Sequence, residues 1–210
     1  MSKGCMIVCD GGNGAGKSTV LKAIEAHLRA RGHEPVMTRE PGGTPIGEKI
    51  REILLSPDTP EMCDVTELML FTAARAQHVR ERIIPAIEAG KIVVSDRFDS
   101  ATISFQHYSR GLSLELIQQL NGIAIGSLRP DMTIILDLDP EVGLRRVIAR
   151  ENGALDRMEQ ESLVFLHKAR HGYLEQAKAD PDHFVVIDAA QSLEKVIADV
   201  LAVVDLLIPA

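Results

Sequence analysis

Residues 11–18 read Gly-Gly-Asn-Gly-Ala-Gly-Lys-Ser, and they constrain this 210-residue chain more than any other stretch. An apolar run at 6–9 precedes them and a helix-like run at 19–24 follows. The pattern G-x-x-x-x-G-K-S between a strand and a helix marks a phosphate-binding loop. Its glycines let the backbone curl until successive N–H groups face one anion. The helix that starts there adds its own unpaired N–H groups and its positive end. Lys17 is placed to reach the β- and γ-phosphates of a nucleoside triphosphate, and the Ser18 hydroxyl to ligate Mg²⁺.

Around this loop, apolar strand-like runs alternate with longer helical patterns. Strands are expected at 6–9, 35–38, 92–95, 132–137 and 184–187. Helices are expected at 18–31, 45–55, 66–89, 114–125, 140–150, 162–179 and 193–206, with Gly32, Gly90 and Pro130 punctuating the joins. Unbroken apolar strands alternating with helices predict an α/β fold of three layers, a five-stranded parallel sheet with helices on both faces. Ligands then lie beyond the carboxyl ends of the strands. No repeat, low-complexity segment or linker divides the sequence, so 1–210 reads as a single domain.

The polar motifs fall at those strand ends. Arg39-Glu40-Pro41-Gly42-Gly43-Thr44-Pro45 follows the second strand as a turn. Arg39 there suits a bidentate grip on an anion. Phe71 and Arg75, four apart, share a helix face. A stacking ring beside a two-donor group suits a nucleobase with an edge carbonyl. His78 reads as a surface or capping residue. Asp96-Arg97-Phe98 closes the third strand, placing a carboxylate for Mg²⁺ or its waters and a guanidinium for phosphate. Ser100, Thr102, Ser104 and Gln106, interleaved with Phe105, read as neutral groups for an uncharged base or sugar edge. The basic, glycine-containing stretch 145–157 predicts a short lid, about 145–160, closing over phosphates. Arg145 and Arg146 within it read as helix surface.

Composition removes other classes. A net charge of −7 argues against a general nucleic-acid binder, which needs a basic surface. No apolar run approaches the roughly 18 residues of a membrane span, and the first strand follows the N-terminus without a signal-peptide pattern. Cys5, Cys9 and Cys63 lack metal spacing and cannot all pair, which suits thiols in a reducing cytoplasm.

Several motifs in order carry a family resemblance. They are Asp-Gly-x-x-Gly-Ala-Gly-Lys-Ser-Thr at 10–19, Arg-Glu-Pro-Gly-Gly-Thr at 39–44, Leu-Phe-x-Ala-x-Arg-Ala-Gln-His at 70–78 and Asp-Arg-Phe at 96–98. Arg-Gly-Leu at 110–112, Arg-Pro-Asp at 129–131 and Leu-Asp-Arg-x-Glu-Gln-Glu at 155–161 continue the series. Through them the chain resembles the bacterial thymidylate kinases. The resemblance implies a P-loop NTPase fold, with γ-phosphate transfer from ATP-Mg²⁺ to the 5′-phosphate of dTMP in a homodimer. It assigns ATP binding to Gly11, Gly12, Asn13, Gly14, Ala15, Gly16, Lys17, Ser18 and Thr19, and Mg²⁺ to Ser18 and Asp96. It sets Phe71 against thymine, Arg75 at its O4, and Thr102 and Gln106 near the other edge. Arg39 and Arg97 then hold the acceptor phosphate. Gly14 lies where some members carry a catalytic loop arginine; the subgroup without it draws the arginine from the lid. Here that is Arg150, which joins Lys17 and Arg97 as catalytic.

The chemistry agrees with that implication. A nucleoside monophosphate offers an anionic oxygen that needs no general base, so the enzyme must neutralise and align two polyanions. Four positions depart from the family pattern. Asn13 replaces a usual Glu or Asp, Phe105 a usual Tyr, His107 a Gly, and Asn152 a second lid arginine. The alternative they raise is a kinase for another or modified deoxypyrimidine monophosphate. A nucleotide-binding module without turnover is the reading from a different class.

Overall fold

The computed structural model describes residues 4–150 and 155–208. Five strands, β1 (Cys5–Gly11), β2 (Val36–Arg39), β3 (Ile92–Asp96), β4 (Met132–Asp137) and β5 (Phe184–Asp188), form one sheet. Every pair is parallel and the order is β2-β3-β1-β4-β5. The expected strands are therefore all present. In β1, Met6, Ile7, Val8 and Cys9 are fully buried, as an apolar run covered on both sheet faces must be.

Alternation along the strands divides the core between two helical layers. Ile7, Cys9, Val94, Ile134 and Leu136 face α1 (Lys17–Ala30) and α9 (Leu193–Leu207). Val20, Ile24 and Leu28 of α1 recur at helical spacing and complete that layer. On the other face, Met6, Val8 and Val93 pack against Val79, Ile83, Ala86, Phe98 and Ala124. A third cluster joins Ile135 to Phe105, Phe165, Ala169 and Tyr173. The second cluster draws on α3 (Asp64–His78), α4 (Ile84–Glu88) and α6 (Leu114–Ile125), and the third on α8 (Leu163–Ala179).

The helix expected over 66–89 is broken into three parts. A π-helical turn, Val79–Ile83, separates α3 from α4. Pro85 explains the interruption, because it has no N–H to give and its ring crowds the carbonyl of the preceding turn. Two further helices frame the site. α2 (Pro45–Leu55) is capped by Thr44, whose hydroxyl accepts from Gly47 N at 3.0 Å. α7 (Pro140–Arg150) follows β4. The stretch 99–109, which carries the neutral groups expected to meet a base or sugar edge, is helical: α5 (Asp99–Thr102) runs into a π-helical segment, Ile103–Ser109.

Candidate active site

Register brings the predicted groups to one end of the sheet. Asp96 lies beside Cys9 of β1 on one side and Arg39 of β2 on the other. The loop leaving β1 therefore opens directly over Asp96. A cleft of about 430 Å³ sits there, lined by Asn13, Gly14, Gly16, Lys17, Ser18 and Thr19 from the loop. Arg39, Phe71, Arg75, Asp96, Arg97, Thr102, Gln106 and Arg150 line it as well. Gly11 and Ala15 are buried behind the loop, and Gly12 borders a much smaller neighbouring cavity. Seven basic side chains face four acidic ones around the cleft, so an acidic protein carries a locally positive site.

Lys17 closes the loop upon itself. Its Nζ donates to the carbonyls of Gly11 at 3.0 Å and Gly12 at 2.8 Å. Burial, followed by the neighbouring Arg97 charge, holds its ammonium down to about 8. Asp96 Oδ1 is buried and has no hydrogen-bond partner among the described residues. An orphaned carboxylate oxygen beside the loop hydroxyl of Ser18 fits a Mg²⁺ ion or one of its waters.

Arg97 is held at both its backbone and its guanidinium. It has φ +68°, a left-handed conformation that costs a non-glycine residue roughly 1–3 kcal/mol. Its backbone N donates to Cys9 O at 2.9 Å, and its carbonyl accepts from Ser95 Oγ at 2.7 Å. The guanidinium donates from Nη1 to Asp10 Oδ1 and Tyr173 Oη, and from Nη2 to Asn13 Oδ1 at 2.8 Å. Its Nε makes no hydrogen bond among the described residues, which leaves a donor that can meet an anion in the cleft. Fully buried Asp10 also accepts from Tyr173 Oη at 2.6 Å and Ser100 Oγ at 2.7 Å. Sequence reasoning missed Asp10 and Tyr173 as supports of Arg97. Asp10 had a signal, its place just before the loop; Tyr173, 163 residues away, had none.

Arg75 is 2% exposed and tightly held. Nε donates to Glu40 Oε2 at 2.8 Å, Nη1 to Asn121 Oδ1 at 2.8 Å and Nη2 to the Phe98 carbonyl at 3.0 Å. One N–H on each Nη remains. Phe71, one turn earlier, presents a half-buried ring to the same cleft. His78 is not a surface residue: it is fully buried, with Nδ1 3.0 Å from Glu40 Oε1 and Nε2 2.6 Å from Thr38 Oγ1. Burying the Arg75–Glu40 pair required a second polar partner for the carboxylate, and His78 supplies it.

Of the four neutral groups expected to read a base, only Thr102 and Gln106 line the cleft. Ser100 and Ser104 turn inward, to Asp10 and to Gln176 Nε2 at 3.0 Å, because a helix sends them to the opposite face. Gln106 donates from Nε2 to the buried Glu67 Oε1 at 2.8 Å. Phe105 lies 5.3 Å from the Arg97 guanidinium, and His107 donates from Nδ1 to the Leu112 carbonyl at 2.7 Å.

The basic stretch also differs from expectation. Arg146 is not idle helix surface: it donates from Nη1 to Gly14 O at 3.3 Å and lines the cleft with Arg150. The signal was available, since 146 and 150 share a helix face. Arg51 of α2 was missed too; it lines the cleft and donates to Pro41 O at 2.9 Å. Arg39, by contrast, is engaged with Glu48 Oε2 at 2.9 Å. Arg157 ties the far end of the stretch to α2 and α3, through Leu54 O at 2.9 Å and Glu67 Oε2 at 2.7 Å. Asn152 lies outside the described residues.

Comparison with known proteins agrees with this geometry. The family described as Thymidylate kinase matches residues 9–200. A thymidylate kinase of Geotalea uraniireducens is 45% identical over 205 residues, covering 96% of each chain. One from Pseudomonas syringae pv. tomato is 49% identical over 206 residues, 98% of this chain and 95% of that one. The crystal structure of thymidylate kinase from Ehrlichia chaffeensis superposes with a TM-score of 0.77 at 30% identity, over 96% of this chain and 98% of that chain. A loop poised for phosphate, an arginine donor beside it and near-complete similarity to these relatives lead to one assignment: the chain belongs to the thymidylate kinase family.

Proposed function

We propose that this protein transfers the γ-phosphate of ATP to the 5′-phosphate of dTMP, giving dTDP and ADP. The observation that carries the reading is one positive cleft joining the phosphate loop, the open Nε donor of Arg97 and the Phe71–Arg75 pair. A dTMP phosphate oxygen forms a bond to Pγ as the Pγ–O bond to the β-phosphate breaks, and ADP leaves with the bridging oxygen. The attacking oxygen carries no proton, so no general base is needed. Lys17 and the loop N–H groups hold the ATP phosphates, while Arg97 and Arg39 hold the acceptor phosphate. Arg150 neutralises charge developing between them. Phe71 stacks on thymine and Arg75 donates to its O4, with Thr102 and Gln106 at the other edge. Ser18 and Asp96 would hold Mg²⁺, which lowers the charge on the β- and γ-phosphates when bound.

The acceptor panel tests the assignment. In a coupled ADP-release assay dTMP should outrun dUMP, dCMP, dGMP and UMP; equal rates would reject it in favour of a broader or modified deoxypyrimidine acceptor. Arg150→Ala should lower kcat by roughly 10²-fold with little change in dTMP affinity. Its side chain is 58% exposed, so solvent screens part of its charge. A raised dTMP dissociation constant at unchanged kcat would remove Arg150 from the catalytic role.

The depressed Lys17 titration gives a pH signature. Bound phosphates favour the charged ammonium, so ATP binding raises the pKa and takes up a proton. Affinity should hold below about pH 8 and fall above it, by about tenfold at pH 9. Titration calorimetry at pH 7 and 9 checks this; a flat profile would separate Lys17 from the phosphates.

A homodimer is part of the proposal. Exposed Ile46 and Ile53 of α2, Val65 and Met69 of α3, and Leu116 and Ile123 of α6 support it. Sedimentation should give twice the chain mass. The free thiols of Cys5, Cys9 and Cys63 support action in the cytoplasm, and no helix among the described residues is long and apolar enough to cross a membrane.

A further inference from the structure

α7 meets the phosphate loop backbone to backbone, and two glycines make that possible. Gly14 has φ +75°, and a Cβ built on it would lie 2.2 Å from Gly143 O and 2.8 Å from Gly143 Cα. The contact is reciprocal: a Cβ on Gly143 would lie 2.3 Å from Asn13 O. Neither obstacle is a flexible side chain that can swing away. Gly143 is buried inside the first turns of α7, where alanine has the higher helix propensity. Its presence there is explained by the close approach. One turn on, Arg146 donates to Gly14 O, and one further turn brings Arg150 to the cleft rim.

The geometry points to Gly143 as a positioning residue for phosphoryl transfer: with Gly14 it forms a notch that seats α7 on the loop and sets the reach of Arg150. This rests on the proposed role of Arg150 and extends it to the residue that aims it. The notch also gives a physical reason for the missing loop arginine, since no side chain fits at position 14 while α7 is seated. Loop and lid helix are thus a matched pair, in which a side chain on the loop and a helix docked this closely exclude one another.

Restoring ordinary contact distance at Gly143→Ala moves α7 outward by about 1 Å, a displacement that can cost up to about 10²-fold when it misplaces a reacting group. The test is a double-mutant cycle in kcat at saturating ATP and dTMP. Gly143→Ala alone should lose at least about tenfold, with dTMP affinity close to the parent chain and a cooperative unfolding transition retained. In an Arg150→Ala background the same change should cost less than about twofold, because the group it aims is gone. An equal loss in both backgrounds, or full activity in Gly143→Ala, would overturn the inference. If Arg150→Ala alone keeps full kcat, the catalytic reading of Arg150 fails instead, and the two failures are distinguishable. Should Gly143→Ala not fold, Gly14→Ala invades the notch from the loop side. At saturating ATP it should show the same non-additive pattern, and additivity there would count equally against the notch.

Discussion

Lys17→Ala is expected to reduce phosphoryl transfer by roughly 10³-fold or more, the scale on which a cation poised on a transferring phosphoryl group acts. The fold should survive. Nζ bridges only loop carbonyls, so its removal breaks no contact with the core layers. The titration carries the same message with its sign. A lysine whose folded pKa falls from 10.5 to about 8 is disfavoured in its charged form, so it costs stability below about pH 8. That cost is relieved as pH rises from about 8 to 10.5, where the unfolded chain binds the proton and the folded chain does not. Alanine at 17 should therefore leave the unfolding temperature at pH 7 unchanged or raise it. Circular dichroism melts beside the ADP-release assay decide the matter. An inactive chain that has also lost its melt would mean the lysine is structural, and undiminished turnover would remove the loop from the chemistry.

The second large effect is on stability. Arg75→Met should cost about 3–5 kcal/mol, because it leaves Glu40 as a buried carboxylate without its guanidinium partner. For a chain of this size that is a fall in unfolding temperature of roughly 6–20 °C. Asn121 Oδ1 and the Phe98 carbonyl lose donors in the same step. Adding Glu40→Gln should recover part of the loss, since the stranded charge goes. Function should change in a separate way. A guanidinium donor suits the O4 of thymine and opposes the amino group of cytosine, so the preference for dTMP over dCMP should shrink by roughly tenfold or more. A melt within about 1 kcal/mol of the parent would mean Glu40 finds other partners. Unchanged base preference in a folded variant would take Arg75 out of recognition.

These two residues differ in how visible they were. Lys17 belongs to a loop whose glycines, strand and helix are contiguous, so its role follows from local backbone geometry alone. Arg75 was legible as a donor near an aromatic ring through helical spacing. Its burial, and its dependence on Glu40, Asn121 and the buried His78, were not. A histidine within a helical pattern carries no mark of what will pack over it.

The sequence by itself determined the sheet, most of the helices, the phosphate loop and which residue types gather around it. Unbroken apolar runs, helical periodicity and the placement of glycine and proline are local properties, expressed within a few residues of where they act. Only the tertiary structure decided which groups face one another. Asp10 and Tyr173 hold the guanidinium of Arg97, whose backbone is left-handed. A helix turns Ser100 and Ser104 away from the cleft, and Gly14 meets Gly143 where α7 crosses the loop. Such pairings join residues far apart in the chain. They are fixed by the layered packing of the whole domain rather than by any pattern within one segment.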